Sequence, residues 1–195
     1  TSLFDRGSLL LGAYYFREKS RDDTLLYVAD GLYPRLIAAG FDPALATALD
    51  FNIDFANRQK TTNYALFGNA TFDVTDALTL ELGVRYTWEK KVWNQAAMRI
   101  YSQQPLLAGM PSYRLSEDWK AFTPRASLSY KFTPDILGYV SWSRGFRSGG
   151  FNGRPTSVEE IGSYDPEYLT AYEAGLKTTL GGLVTLNLSA FRNDY

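Results

Sequence analysis

The residues best suited to chemistry lie in one glycine-rich stretch, SWSRGFRSGGFN, which runs from Ser141 to Asn152. Glycines beside arginines are typical of loops that hold a phosphate on backbone N–H groups. Such a loop needs a Gly-Lys-Ser/Thr sequence followed by a helix, whereas here the next residues, GRPTSVEEIGSYDPE, are interrupted by prolines. The stretch is therefore better explained as a strand that flares into a loop, with the glycines permitting the bends.

Acidic residues offer two further kinds of site. Glu81 and Glu173 could supply the two carboxylates that glycoside hydrolases use. The adjacent Asp22 and Asp23 could supply oxygen ligands for Ca²⁺ in a loop. Neither spacing is diagnostic. The chain has no histidine and no cysteine, which excludes Ser-His-Asp triads, disulfides and thiolate metal sites. We therefore expect no enzyme activity, no bound metal and no resident cofactor.

Overall charge and hydropathy limit the classes of partner and of membrane segment that the sequence predicts. The formal net charge of −1 gives no electrostatic reason to expect a nucleic-acid partner. No stretch of 18 uncharged apolar residues occurs in the sequence, so no transmembrane helix is predicted.

Strict alternation of apolar and polar residues is the dominant pattern. Between Leu78 and Trp88 every second residue is apolar, and polar residues such as Glu81 and Arg85 stand between them. A period of two predicts a β-strand with one apolar and one polar face. Similar runs predict about seven strands, at residues 7–18, 60–73, 78–93, 118–132, 137–148, 166–179 and 183–194. In the first of these, residues 8–17 are apolar on both sides, so the pattern does not fix which side faces which way.

The connections alternate between short and long. Short turns follow residues 73, 132 and 179, and long loops cover about 19–59, 94–117 and 149–165. This alternation predicts an all-β, antiparallel up-and-down meander with short turns at one end and long loops at the other. Within the first loop, Asp42 and Pro43 are typical of the N-cap and first residue of a short helix.

Two architectures fit this alternation. In a soluble sandwich or barrel the apolar face points inward, and in an outer-membrane barrel it points out to lipid around a polar lumen. The predicted strands are longer than the usual five or six residues of soluble sheets. The polar face also carries charges at mid-strand that a dry core would have to pair, namely Glu81, Arg85, Arg125, Glu173 and Lys177. Both observations favour a segment of a transmembrane β-barrel.

Aromatic residues lie near both ends of the apolar face, as expected for belts at two membrane interfaces. The expected belt at the long-loop end contains Trp88, Trp119 and Trp142, although Trp119 is one residue out of phase. The belt at the short-turn end contains Phe72, Tyr130 and Phe132.

Seven strands do not close a conventional bacterial barrel, and open edges are not tolerated in lipid. We therefore expect either an eighth strand within residues 19–59 or a chain that is one part of a larger barrel. The first residue is Thr1, not methionine, which favours the second expectation.

Several motifs then resemble one family, the TonB-dependent outer-membrane receptors of the siderophore-receptor type. The family pattern S-K/R-G-F-R-S-G-G-F-N is matched from Ser143 to Asn152, and P-E-x-x-x-x-Y-E-x-G-x-K from Pro166 to Lys177. A third pattern, A-F-x-x-D-Y, is matched from Ala190 to Tyr195. The runs LTLELGVRYTWEKK and FTPRASLSYKFTPD resemble preceding strands of the same barrels, so the resemblance covers Gly7 to Tyr195.

The resemblance implies a barrel of 22 strands closed by an N-terminal plug domain, which imports scarce ligands such as ferric siderophores with energy from the TonB complex. Residues 1–195 would then form one part of the barrel domain in the bacterial outer membrane, without the plug. The implied partners are membrane lipid, the plug, the other barrel strands and, through the plug side, the TonB complex. The alternative is a small self-contained outer-membrane barrel that acts as a passive channel or an adhesin.

Four charged residues are the candidates for ligand contact from the lumen. Arg85, Arg125 and Glu173 lie at mid-strand on the polar face, and Arg147 shares the parity of Ser141 and Ser143 near the outer mouth. Arginine would suit an anionic ligand such as the carboxylates of a ferric chelate. The alternative role is structural, in salt bridges within the lumen or to a plug. On the opposite face, Arg144 is expected to reach lipid headgroup phosphates.

Overall fold

The computed structural model describes residues 2–4, 6–107 and 109–195. Its principal feature is one antiparallel sheet, in which successive long strands pair with their neighbours in sequence. The strands are β1 Ser2–Phe4, β2 Gly7–Leu26, β3 Ile53–Asp73, β4 Leu78–Arg99, β5 Ser112–Thr133, β6 Ile136–Arg147, β7 Gly150–Phe151, β8 Ser163–Tyr164, β9 Glu167–Leu180 and β10 Val184–Asp194. The order in the sheet is β1-β2-β3-β4-β5-β6-β9-β10, and β7 and β8 form a separate small hairpin.

All seven predicted strands are confirmed, and the meander with alternating short turns and long loops is confirmed with them. The main difference is length, because β2 to β5 continue well beyond the predicted bounds at the long-loop end. Residues 19–26 and 53–59 are strand extensions, so the suggested eighth strand within 19–59 is wrong. The extra strand of the sheet is instead β1, which has three residues and pairs with β2.

The first long loop carries two short helices, α1 Leu32–Ala38 and α2 Pro43–Ala48. As predicted, Asp42 is the N-cap of α2 and accepts hydrogen bonds from the Ala44 and Leu45 backbone N–H groups at 2.8 and 3.2 Å. Pro43 follows as the first helical residue. Among the described residues, no helix has the length and apolarity needed to cross a membrane.

The two faces of the sheet differ in the solvent exposure of their side chains. The face that carries Leu82, Val84 and Trp88 is here called the outer face, and its side chains are exposed. The opposite face, here called the inner face, carries Arg85 and Thr87 and is more buried, with Thr87 only 6% exposed. A soluble sandwich would cover the apolar face, so this arrangement contradicts that alternative and fits a sheet whose outer face meets lipid.

The register fixes the facing of the first long strand, which the alternation left open. Tyr14 pairs with Ala65 and Phe16 with Asn63, which places these two aromatic rings on the inner face. Leu11 and Tyr15 point to the outer face. The inner face is therefore partly apolar along β2.

Trp119 is the clearest error among the predicted belts. It pairs with Glu89 on the inner face, whereas its neighbour Lys120 pairs with Trp88 on the outer face. Because side chains alternate along a strand, the out-of-phase position decided its facing. Trp119 is 7% exposed and packs in the interior of the long-loop end.

Candidate functional site

A loop that crosses the inner face at the long-loop end defines the candidate site. The strand β6 ends at Arg147, and residues 148–155, here called the inward loop, fold back over β3, β4 and β5. Two glycines allow this close approach. A Cβ at Gly149 would lie 2.7 Å from the Trp119 ring on β5, and one at Gly150 would lie 2.3 Å from the hydroxyl of Tyr164, its partner in the small hairpin. The glycine-rich motif is thus a loop seated against the inner wall.

One end of the inward loop is anchored by charge. Lys91 Nζ donates to the Ser148 hydroxyl and to the Gly149 carbonyl oxygen, each at 2.7 Å, and lies 3.3 Å from Glu89. The Ser148 hydroxyl donates to Glu89, whose second oxygen accepts from Asn63 Nδ2 at 2.6 Å. The side chains of Lys91 and Glu89 are only 15% and 13% exposed, so each charge is compensated by the other and by the loop.

The other end is anchored through the carbonyl of Gly153. This oxygen accepts from Gln95 Nε2 at 2.8 Å and from Asn57 Nδ2 at 3.3 Å. The Tyr113 hydroxyl in turn donates to the Gln95 side-chain oxygen, and burial raises the pKa of Tyr113. Gln95 and Asn57 are 1% and 2% exposed, so this end of the loop is closed off from solvent.

Between the two anchors, aromatic side chains hold the centre of the loop. Phe151 is 8% exposed, and its ring centroid lies 6.3 Å from that of Trp93 and 5.9 Å from that of Trp119. Lys91 Nζ lies 5.4 Å from the Trp119 ring centroid, which adds a cation–π contact. The β4 residues of this site, Glu89, Lys91 and Trp93, were not among the candidates from the sequence. The signal that could have found them was their odd-numbered spacing, which continues the polar face of β4.

Two of the four candidate residues, Arg85 and Arg125, line one cavity of about 350 Å³ on the inner face. The Arg85 guanidinium lies 5.1 Å from the Tyr14 ring centroid and 5.9 Å from that of Phe67. Arg125 crosses β4 above Gly83, where a Cβ would lie 2.6 Å from the arginine Nε. No carboxylate in the described part of the chain forms an ion pair with either arginine. The pair therefore presents cationic groups beside aromatic rings.

The other two candidates lie apart from this cavity. Arg147 stands opposite Glu167 in the register and forms an ion pair with it at 3.6 Å, with both side chains largely exposed. Glu173 accepts a hydrogen bond from the Tyr139 hydroxyl at 2.5 Å. The inner face thus brings Arg85 and Arg125 together, whereas Arg147 and Glu173 each have a partner of their own.

The strand register argues against both acidic sites suggested by the sequence, the glutamate pair and the Ca²⁺ site. Glu81 and Glu173 lie on the same cross-strand row with Ser127 and Ser141 between them. Three strand spacings separate the two carboxyl-bearing residues by roughly 14 Å, beyond the separation used by glycoside hydrolases.

Asp22 and Asp23 are adjacent in a strand and so point to opposite faces. Asp22 accepts from Asn57 Nδ2 at 3.3 Å, and Asp23 pairs with Arg58 at 2.5 Å and also with Arg21. The pair therefore does not form one Ca²⁺ site. In the residues that the structure describes, no cluster of three or more acidic, histidine or cysteine side chains is placed to hold a metal ion.

A second buried cluster joins two of the long loops, the β2–β3 and β4–β5 connections. Asp50 is fully buried and accepts from the Tyr101 and Ser102 backbone N–H groups at 3.1 and 2.8 Å. Asn52, also fully buried, accepts from the Val28 N–H at 3.1 Å and donates to the Ala29 carbonyl at 3.2 Å. These contacts tie the loop that contains α1 and α2 to the connection between β4 and β5.

Known proteins share the fold of this sheet. A family model described as TonB dependent receptor-like, beta-barrel, matches residues 2–195. The ferric yersiniabactin uptake receptor FyuA from Yersinia pestis is similar with a TM-score of 0.74 and 14% identity, over 98% of this chain and 26% of that one. The ferric-catecholate import receptor Fiu from E. coli K12, in its open form, is similar with a TM-score of 0.63 and 13% identity, over 96% of this chain and 27% of that one. The chain thus spans about a quarter of the length of these receptors, and at such identities the likeness concerns the fold.

Proposed function

The chain belongs to the TonB-dependent receptor-like β-barrel family, and from that premise we propose that it forms part of the wall of a bacterial outer-membrane receptor. The remaining strands and a plug domain come from the rest of that receptor. Its task is the uptake of a scarce ligand such as a ferric siderophore, with energy relayed by the TonB complex. The similar receptors are named for uptake of ferric yersiniabactin and import of ferric catecholates.

The observation that carries the proposal is the division of the sheet into two faces. The outer face exposes large apolar side chains, including Leu66 at 58% and Val84 at 49%, as a lipid-facing wall requires. The inner face carries the charged residues of the sheet among some apolar ones, and it holds the inward loop, which is anchored at Lys91 and Gln95. A wall of this kind separates lipid from a polar path, and the inward loop lies at the end where the long loops would meet an incoming ligand.

The ligand-contacting residues on this wall are proposed to be Arg85, Arg125, Arg147 and Glu173. Arg85 and Arg125 form the stronger pair, because they share one cavity and Arg85 lies beside aromatic rings. Guanidinium groups bind carboxylates and other anionic oxygens through paired hydrogen bonds, so an anionic iron chelate would suit them. The chelate is cargo and not a resident cofactor, and neither catalysis nor nucleic-acid binding is part of the proposal.

The test is uptake of ⁵⁵Fe by iron-starved cells whose sole siderophore receptor is the complete protein that contains this chain. A panel of ferric siderophores identifies the cargo, and loss of uptake on deletion of TonB supports active transport. Uptake that persists without TonB would instead indicate a passive channel. For the residue assignment, Arg85→Gln with Arg125→Gln should weaken ligand binding at least tenfold, and Lys131→Gln at the short-turn end is the matched control.

A further inference from the structure

The outer face changes character in orderly steps toward the long-loop end. Cross-strand rows over β2, β3, β4 and β5 are first aliphatic, such as Leu9, Ala70, Leu82 and Ala126, and then aromatic. The aromatic row contains Tyr15, Tyr64 and Trp88 and ends at Lys120. The name basic band is used here for Lys120 at the end of this row and for the four cationic residues beyond the row, which are Arg17, Lys19, Lys60 and Lys90.

The basic band carries more positive charge than its neighbours neutralise. Lys90 lies 3.7 Å from Asp118, but Arg17, Lys19, Lys60 and Lys120 pair with no carboxylate among the residues that the structure describes. Lys19 and Lys60 are also directly opposite each other in the register, and both are exposed. Like charges in that position destabilise a sheet, so an anion between them would stabilise it.

Two adjoining grooves give the band a shape that fits an amphiphile. The upper groove, of about 250 Å³, is lined by four cationic side chains, Lys19, Arg21, Arg58 and Lys60. The lower groove, of about 330 Å³, is lined by Tyr64 and Trp88 together with Lys90 and Lys120, and Asp118, the ion-pair partner of Lys90, lines it as well. An anionic group above an apolar body therefore meets matching chemistry at both levels.

The band lies just beyond the headgroup layer of a bilayer, within reach of its lysine and arginine side chains. From Tyr15 to Lys19 is four residues, or roughly 13 Å along the strand. With a tilt of about 45° this is roughly 9 Å along the membrane normal, and a lysine side chain can reach back from that height. The aromatic row marks the edge of the hydrocarbon, beyond which headgroups occupy roughly 5–7 Å.

We propose that the basic band and its two grooves bind the phosphorylated headgroup of an anionic lipid in the leaflet at the long-loop end. The phosphates bridge Lys19 and Lys60, and the apolar part of the lipid lies against the aromatic row. Arg144 continues the same chemistry on β6, where its guanidinium lies 4.3 Å from the Tyr168 ring centroid. This inference rests on the proposed membrane placement of the chain.

Asp23 supplies an internal control for the charge argument. It pairs with both Arg21 and Arg58 and so neutralises part of the upper groove. Asp23→Asn leaves both guanidinium groups in place and frees them for an external anion. The proposal therefore expects this variant to bind the lipid more tightly than the parent does.

The experiment is native mass spectrometry of the complete receptor in neutral detergent, titrated with diphosphoryl lipid A, monophosphoryl lipid A or phosphatidylcholine. The parent should retain the diphosphoryl lipid most strongly and phosphatidylcholine least. Lys19→Gln with Lys60→Gln should weaken retention about thirtyfold, which corresponds to about 1 kcal/mol for each cation near a charged surface. Lys131→Gln, at the short-turn end, should leave retention unchanged.

Equal retention of the three lipids, or an unchanged affinity in the double variant together with no gain in Asp23→Asn, would overturn the proposal. Displacement of the lipid by an equal concentration of inorganic phosphate would overturn the assignment to a lipid. Siderophore uptake is measured in the same variants. Normal uptake with unselective lipid retention rejects the lipid site alone, whereas an absence of siderophore uptake by the parent rejects the proposed function.

Discussion

Lys91 and Ser148, which lie 57 positions apart in the chain, are joined by a 2.7 Å hydrogen bond on the inner face. The same ammonium group also holds the Gly149 carbonyl oxygen and lies 3.3 Å from Glu89. One side chain of β4 therefore neutralises a shielded carboxylate and anchors the inward loop. Loss of this ammonium should release the loop and leave Glu89 uncompensated.

Lys91→Met tests this anchor while keeping much of the apolar stem. We expect the free energy of opening of the inward loop to fall by about 1–3 kcal/mol, because buried hydrogen-bonding partners lose their donor. Hydrogen exchange of the backbone amides of residues 148–153, measured in the complete receptor, should become faster by a corresponding factor. Lys131→Met is the control, and equal exchange in both variants would show that the ammonium does not anchor the loop.

Gly149→Ala tests the close approach of the loop to its seat. The added Cβ would lie 2.1 Å from the Tyr164 carbonyl oxygen and 2.7 Å from the Trp119 ring, so the loop must move. We expect a loss of about 1–3 kcal/mol of local stability, the usual effect of overpacking. Gly162→Ala is a matched control in the same connection, because a methyl group added there would meet no atom within 4 Å and the φ angle of Gly162 is not positive. Similar hydrogen exchange in the two variants would contradict the steric argument.

The sequence predicted the strands well because their signal is local. Alternation from Leu78 to Trp88 follows directly from a pleat with one lipid-facing side, and short turns preserve that facing. The strand extensions were missed because residues 19–26 and 53–59 lack a regular apolar alternation outside the expected membrane region. Once a strand leaves lipid, alternation no longer distinguishes it from a loop.

The candidate site was harder to predict because its contacts are distant in sequence. Gln95 and Gly153 are 58 residues apart and Asn57 and Gly153 are 96 apart, and no local pattern relates them. Trp119 shows what the sequence did contain. Its parity placed it on the inner face, but its residue type suggested a membrane belt, and the pleat determined the outcome.

Asp50→Ala tests the buried cluster that joins the β2–β3 and β4–β5 connections. Asp50 is fully buried, and the substitution leaves the backbone N–H groups of Tyr101 and Ser102 without their hydrogen-bond acceptor. We expect local stability to fall by about 2–3 kcal/mol. Hydrogen exchange should become faster at residues 100–102. The control is Asp54→Ala, an exposed position whose effect should stay within about 0.5 kcal/mol, and slow exchange in both variants would argue against the cluster.

Tyr101 gives a pH-dependent contact in the same loops. Its hydroxyl donates to the Asp30 carboxylate, and this hydrogen bond raises the pKa of Tyr101 above its ordinary value of about 10. A raised pKa means that the contribution of the bond to stability is complete below about pH 10 and is lost as the pH rises through the folded-state pKa. Asp30→Asn should therefore lower the pKa of Tyr101. Tyrosinate absorbance, taken as the difference from the corresponding Tyr101→Phe protein, measures it, and an unchanged midpoint would contradict the contact.

The open edges of the sheet predict how the chain behaves alone. Within the described strands β10 pairs only with β9, and every residue of β10 is exposed. Each unpaired backbone group in lipid costs several kcal/mol, so this edge requires a neighbouring strand. The isolated chain, refolded in detergent, should not give a monomer whose electrophoretic mobility shifts on boiling, whereas the complete receptor should. A heat-modifiable, SDS-resistant monomer of the isolated chain would show that it closes by itself and would favour a self-contained barrel.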